Sequence, residues 1–154
     1  MTATRRTTEV QVRAFLAKYT PEIAALGGAA RRAMRARLPG WSEFVYDNYN
    51  ALVFGFSPTS RPSDAIFSIA LYPKWVRLFF LQKGPQLHDP DKLLTGSGAR
   101  VRSLILQSAS DLDLPAVQAL MRQATKEIAP VGPQRPAPAI RISMRQRPRR
   151  PRPE

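Results

Sequence analysis

Residues 43–82, EFVYDNYNALVFGFSPTSRPSDAIFSIALYPKWVRLFFLQ, fall into short apolar runs separated by turn-forming residues. EFVYD and ALVFGFS flank Asn48-Tyr49-Asn50, and IFSIALY and WVRLFFLQ flank Pro73-Lys74. Alternation over such short runs, rich in aromatic and β-branched side chains, is the pattern of strands, and connections this short join antiparallel neighbours. A fifth run of the same kind, RVRSLILQS, lies at 100–108. Together the five predict an antiparallel meander.

Working outward, the apolar period changes to that of helices. Val12, Phe15, Leu16 and Tyr19 cluster on one face at 100° per residue. Thr20-Pro21-Glu22 supplies a capping hydroxyl followed by proline at the first helical position. Ile23, Leu26, Ala30, Met34 and Leu38 then form the apolar face of a second helix, which Pro39-Gly40 ends. Arg31, Arg32 and Arg35 are assigned to its flank. Downstream, Asp113 is the predicted cap of a last helix whose Val117, Leu120, Met121, Ala124 and Ile128 share a face. The predicted fold is α+β: two N-terminal helices, a five-stranded meander and one C-terminal helix, the helices covering one side of the sheet. It occupies residues 8–129 as a single domain.

From residue 130 the composition changes. Seven prolines and seven arginines crowd 130–154, a stretch expected to be a disordered, extended basic tail. Ile140, Ile142 and Met144 alternate with polar residues there, a weak signal for a strand added at a sheet edge.

The chain has 154 residues, enough for one real core, and a hydrophobic content of 44%. No apolar run approaches the length needed to cross a bilayer, so no membrane association is expected. Arg13 and Lys18 interrupt the only candidate for a secretory leader, and a cytoplasmic location is the expectation. The absence of cysteine excludes disulfides, thiolate metal sites and a cysteine nucleophile. Twenty-four Lys and Arg against eleven Asp and Glu give a formal charge of +13. That excess suits an anionic small molecule or another acidic partner, and nucleic acid is one such partner.

Candidate chemistry concentrates in LQKGPQLHDPDKLLTGSGAR, residues 81–100. A phosphate loop needs lysine and a hydroxyl directly after its last glycine, opening a helix. TGSGAR has neither, and the residues after it alternate like a strand, so it reads as a turn. His88, the sole histidine, has Asp89 and Asp91 beside it, but zinc catalysis calls for three protein ligands and Asp-Pro-Asp is itself a turn sequence. No metal site, cofactor, nucleophile with its base, or carboxylate pair is nominated, so no enzyme is expected.

The aromatic and basic positions are more informative. In KWVRLFFLQK, parity places Val76, Leu78 and Phe80 on one sheet face and Trp75, Arg77, Phe79 and Leu81 on the other. Arg100 and Arg102 share a parity in the following run. If the helices cover the Val76 face, the opposite face carries apolar bulk with arginines among it. Arginine stems covering apolar surface are the plain account; a ligand or a second subunit is the functional one. The candidate ligand site is Trp75, Arg77, Phe79, Arg100 and Arg102, with arginines pairing an anionic group and aromatics burying the rest. For nucleic acid the candidates are Arg31, Arg32 and Arg35 on the second helix with Arg145, Arg147, Arg149, Arg150 and Arg152 of the tail, acting by phosphate neutralisation.

The order of motifs also resembles the YdhG-like family, a domain of unknown function. The pattern runs from WVRLFFLQKG through LHDPDKLLTGSGARVRSLIL to DLDLPAVQALMRQA, and Gly84, Leu87, Asp89, Pro90, Leu94, Gly96, Gly98, Val101 and Arg102 match it. The resemblance covers residues 8–128 and excludes the tail. It implies a small cytosolic α+β bacterial domain with no established enzymatic activity, some of whose relatives are regarded as frataxin-like iron chaperones. An iron chaperone relies on clustered carboxylates along its first helix. Here Glu9 and Glu22 stand among Arg13, Lys18, Arg31, Arg32, Arg35 and Arg37, which repel cations. The expectation is therefore a non-catalytic binding module, monomeric or homodimeric. The alternatives are a frataxin-like iron chaperone or nucleic-acid association through the basic tail.

Overall fold

The computed structural model of the protein describes residues 3–48, 50–132 and 136–142. Two helices, α1 (Ala3–Leu16) and α2 (Pro21–Arg37), precede strands β1 (Ser42–Asp47), β2 (Leu52–Ser57), β3 (Phe67–Leu71), β4 (Val76–Phe80) and β5 (Arg102–Leu106). Helix α3 (Pro115–Thr125) and a short strand β6 (Ala139–Ile142) come after them. The fold is α+β with a mixed six-stranded sheet, ordered β5-β4-β3-β2-β1-β6.

Local chemistry accounts for most element ends. Thr20 Oγ1 accepts from the backbone of Ile23 at 3.3 Å, and Pro21 opens α2 where its missing N–H costs nothing. The chain leaves α2 through Gly40 at φ +82°, a conformation glycine adopts freely. A methyl group on Gly40 would also run into the Gly132 carbonyl, so the α2 exit and the segment after α3 close on each other.

β1 to β5 form the antiparallel meander in chain order. Their registers put Val45, Phe54, Ile69, Leu78 and Leu104 in one cross-strand row. Every strand residue of the apolar core from β1 to β5 has this parity, and the helices supply the rest through Val12, Phe15, Ile23, Met34, Val117 and Leu120. All three helices therefore pack on one side of the sheet.

Three details differ from the sequence expectation. First, part of the stretch predicted as a free tail belongs to the sheet. Ala139–Ile142 pair with β1 in parallel, Ile140 opposite Val45, and Ile140 packs against the core. The alternation at Ile140 and Ile142 is enough because Pro138 is the last proline before the strand, so every residue of β6 keeps its N–H. Met144, Arg145, Arg147, Arg149, Arg150 and Arg152 lie outside the described residues.

Second, Asp113 does not cap α3. The helix begins after Leu114 with no side-chain cap, and Asp113 pairs with Arg37 of α2 instead. The capping box sits one turn earlier, in a 3₁₀ segment Ala109–Asp113. There Ser108 Oγ accepts from Ser110 N at 3.0 Å, and the Asp111 carboxylate accepts from Ser108 N at 3.3 Å.

Third, the β4–β5 connection is longer and more ordered than a simple turn. Both Asp89 carboxylate oxygens accept backbone donors, from Leu93 and Leu94 at 2.9 Å each. The His88 backbone is held on both sides by the Gln123 amide, at 2.7 and 3.0 Å. Thr95 and Ser103 exchange backbone hydrogen bonds at 2.8 and 3.0 Å, so the glycine segment lies between a β-bridge and β5. As anticipated, a strand comes after Gly98.

Gly27 shows how closely α2 meets the sheet. A methyl group there would sit 2.4 to 2.6 Å from the Leu71 side chain, which is wholly buried on β3. Gly27→Ala is expected to destabilise the protein by about 1–3 kcal/mol through overpacking, despite alanine's higher helix propensity. Chemical denaturation measures it; a gain in stability would show that α2 does not approach β3 this closely.

Candidate functional site on the open sheet face

Opposite the helices the sheet presents a second set of side chains. One cross-strand row runs Arg141, Tyr46, Val53, Ala70, Arg77, Ile105, and the next runs Ala139, Phe44, Gly55, Ser68, Phe79, Ser103. None of these residues belongs to the apolar core cluster. The central positions Gly55, Ser68 and Ala70 are small and buried, and Tyr46, Val53, Arg77 and Phe79 around them are half-buried. The only carboxylates carried by the strands, Glu43 and Asp47, have the other parity.

Arg77 is fixed by neutral partners. Its Nη1 donates to Ser103 Oγ at 2.8 Å and to Thr95 Oγ1 at 3.4 Å, and among the described residues it has no carboxylate partner. Two hydroxyls therefore orient the guanidinium without cancelling its charge. Trp75 has the parity of Arg77 and Phe79 and is 43% exposed; Ile105, opposite Arg77, is 39% exposed. At the far edge the Arg141 guanidinium lies 5.5 Å from the Phe44 ring centroid, a cation–π contact over a ring that is itself buried.

Three of the five predicted ligand residues, Trp75, Arg77 and Phe79, share this face. Arg100 and Arg102 do not. Arg102 stands opposite Phe80, on the helix-side parity, and its Nη1 turns back to the carbonyls of Gly98 and Val101 at 2.7 and 2.8 Å. The sequence held the correction: Leu104 and Leu106 share the Arg102 parity, and both are core residues. Arg100 belongs to the β4–β5 connection and lines a separate open cleft of about 820 Å³ with Gln82, Ile66, Glu127 and Ile128.

The predicted basic flank of α2 is corrected more sharply. Arg31 is 6% exposed and Glu43 1% exposed. Arg31 Nε donates to Glu43 at 2.7 Å, and its two terminal nitrogens reach Glu9 at 3.0 and 2.9 Å. Arg35 adds contacts to Glu9 at 3.2 Å and Glu43 at 3.5 Å. All four carboxylate oxygens thus face guanidinium donors, and the Arg31 guanidinium also lies 5.1 Å from the Phe54 ring centroid. Neither Arg31 nor Arg35 is a free phosphate contact; of the three, Arg32 alone is exposed. Sequence reasoning misses the cluster, although Glu43 shares the parity of Val45, and a carboxylate at a core-facing position requires a cation.

The cluster's electrostatics arise from its geometry. Hydrogen bonding from Arg31 is the largest influence on Glu9; burial opposes it, Arg35 adds to it, and the carboxyl titrates below its ordinary value of 4.5. Burial disfavours the Arg31 cation, but the hydrogen bonds and charges of Glu9 and Glu43 outweigh it and raise its pKa. Glu9 and Glu43 are therefore committed to arginine. Among the described residues no group of three or more His, Cys, Asp or Glu is placed to hold a metal ion. No helix among them is long and apolar enough to cross a membrane. No family model, curated protein or solved structure matches the chain.

Arg31→Met would leave Glu43 charged and buried with only the partly exposed Arg35 beside it, at an expected cost of about 3–5 kcal/mol. The wild-type contribution from Glu9 has the sign of a depressed carboxylate: present above pH 4.5, and lost as pH falls through the lowered folded value. Glu9→Gln should therefore flatten the acid limb of the stability profile. Urea titrations between pH 3 and 7 test both; an unchanged acid limb would remove Glu9 from the cluster's energetics.

Proposed function

We propose that the chain is a non-catalytic binding module of the YdhG-like class that holds a planar anionic ligand on its open sheet face. The observation that carries this is Arg77, charged, oriented by Ser103 and Thr95, and unneutralised among the described residues on a face with no strand carboxylate. A guanidinium so placed has donors left for a carboxylate or phosphate, and Phe79 and Trp75 offer rings beside it. Fixing the donor beforehand lowers the ordering cost that binding otherwise incurs. The lowered pKa of half-buried Glu9 is explained by its ion pairs with Arg31 and Arg35 within the fold and not by an address in a cleft. The YdhG-like reading is supported by the loop residues Gly84, Asp89 and Gly96. Gly84 has its N–H on the Arg100 carbonyl at 2.8 Å, Asp89 caps the turn, and Gly96 adopts φ +127°. Each has a structural use, which is how a pattern can mark a fold without marking a chemistry.

Adenosine monophosphate, a planar ring bearing a phosphate, is a suitable probe. At about 100 times Kd it should stabilise the wild type by about 2.7 kcal/mol, seen as a rise in Tm. Arg77→Ala should lose most of that rise, whereas Arg32→Ala, on the other side of the molecule, should keep it. Equal shifts in wild type and Arg77→Ala would remove this face as the binding site.

A further inference from the structure

A second site, independent of the open sheet face, lies where the β2–β3 connection, the end of β4 and the segment after α3 meet. We propose that this cleft, with a volume of about 820 Å³, captures the free C-terminus of an extended peptide that ends in an apolar residue. The volume falls within the range of about 300–1,000 Å³ that ligand clefts occupy. Its lining is accessible: Arg100, Glu127, Ala129 and Pro130 are exposed, and Ile128 and Val131 are half-buried.

Charge selects the carboxylate. The charged side chains lining the cleft are Asp64, Arg100 and Glu127. Both carboxylates are already engaged. Asp64 accepts from the Thr59 hydroxyl at 2.8 Å with Arg61 3.8 Å away, and Glu127 pairs with Lys83 at 2.8 Å. Lys83 holds Glu127 from a left-handed backbone at φ 57°, a costly conformation for a residue with a side chain, and strain of this kind collects at ligand clamps. The Arg100 side chain has no partner among the described residues, while its carbonyl accepts the Gly84 N–H at 2.8 Å and anchors its backbone. The cleft therefore offers one uncommitted guanidinium, which matches a carboxylate with two parallel hydrogen bonds. Asp64 and Glu127 on the walls leave room for a single negative charge and repel a polyanion.

The backbone selects a peptide. Ala129 and Val131 border the cleft from a segment without regular structure, and their N–H and C=O groups make no hydrogen bond to any other described residue. Main-chain groups left open along a cleft are what an extended peptide pairs with, and a ligand without amides has no use for them. Between Arg100 and this segment the floor is apolar. Ile66 is 7% exposed at its base, and Ile128 and Val131 pack against the same core. A leucine-sized side chain buried there adds affinity that a bare carboxylate lacks.

The test uses the full chain and the pentapeptide Ala-Ala-Ala-Val-Leu, labelled with fluorescein at its N-terminus and ending in a free carboxylate, with anisotropy as the readout. Amidating the C-terminus should weaken binding about tenfold or more. Arg100→Ala, at an exposed position with little risk to folding, should weaken the free acid by the same factor, and amidation should then cost nothing further. Replacing the terminal leucine by serine, or methylating the last peptide nitrogen, should each weaken binding to the unaltered protein. Arg77→Ala should bind the peptide as the wild type does, and Arg100→Ala should keep the adenosine monophosphate shift, so the two sites stand or fall separately. An amidated peptide bound as tightly as the free acid, or no anisotropy change at all, would overturn the proposal. N-acetyl-leucine bound as tightly as the pentapeptide would overturn the peptide as occupant and put a small acylamino acid in its place. Loss of the peptide in Arg77→Ala and not in Arg100→Ala would move it to the open sheet face, and equally overturn the assignment.

Discussion

The buried contact between Arg31 and Glu43 decides which side of β1 meets the helices. Side chains alternate along a strand, so moving β1 by one residue would carry Glu43 outward and bring Phe44 and Tyr46 beneath α2. Apolar packing alone would tolerate that exchange, because Phe44 and Tyr46 are as suited to a core as Val45. The guanidinium does not tolerate it, since a buried cation without its carboxylate is costly. An ion pair of this kind adds little net stability over a well-packed apolar pair. Its effect here is on register. Glu9 extends the same restraint to α1, which shares the Arg31 and Arg35 donors. With β1 fixed, β6 inherits its alignment through the parallel pairing, and Arg141 is delivered to the same face as Arg77.

The parts of this fold that are legible in the sequence are those governed by local chemistry. Thr20-Pro21 starts a helix because an accepting hydroxyl and a fixed φ act within three residues. Pro73-Lys74 joins antiparallel strands because two residues leave no other path, and the apolar period from Val76 to Phe80 names its own buried side. The failures involve distance along the chain. Asp113 has the composition of a cap, but Arg37 of α2 competes for its carboxylate and Pro115 already fixes the start of α3. Arg31 reads as part of a solvated flank because its partners lie 12 and 22 residues away.

For the candidate site the same division holds. Parity within β4 places Trp75, Arg77 and Phe79 correctly relative to one another, since strand geometry is local. Relating them to Arg100 and Arg102 requires the register across a long connection, which no count of residues supplies. The β-bridge between Thr95 and Ser103 sets it, and it places Ser103, not Arg102, beside Arg77. That exchange of neighbours changes the chemistry of the site. An arginine beside Arg77 would have made a doubly charged pocket; a serine leaves one oriented cation and a hydroxyl.

Charge partition then separates the occupants that an open sheet face can have. The four groups of the buried cluster cancel, so the whole excess of +13 lies elsewhere on the chain. On the open face Ser42, Ser57, Ser68 and Ser103 interrupt the aromatic positions, and both charged side chains are arginines. A permanent homodimer interface is more apolar than this at its centre. Two-fold pairing of the face would also bring cations from both copies into one desolvated layer with no carboxylate between them, a like-charge arrangement that costs several kcal/mol.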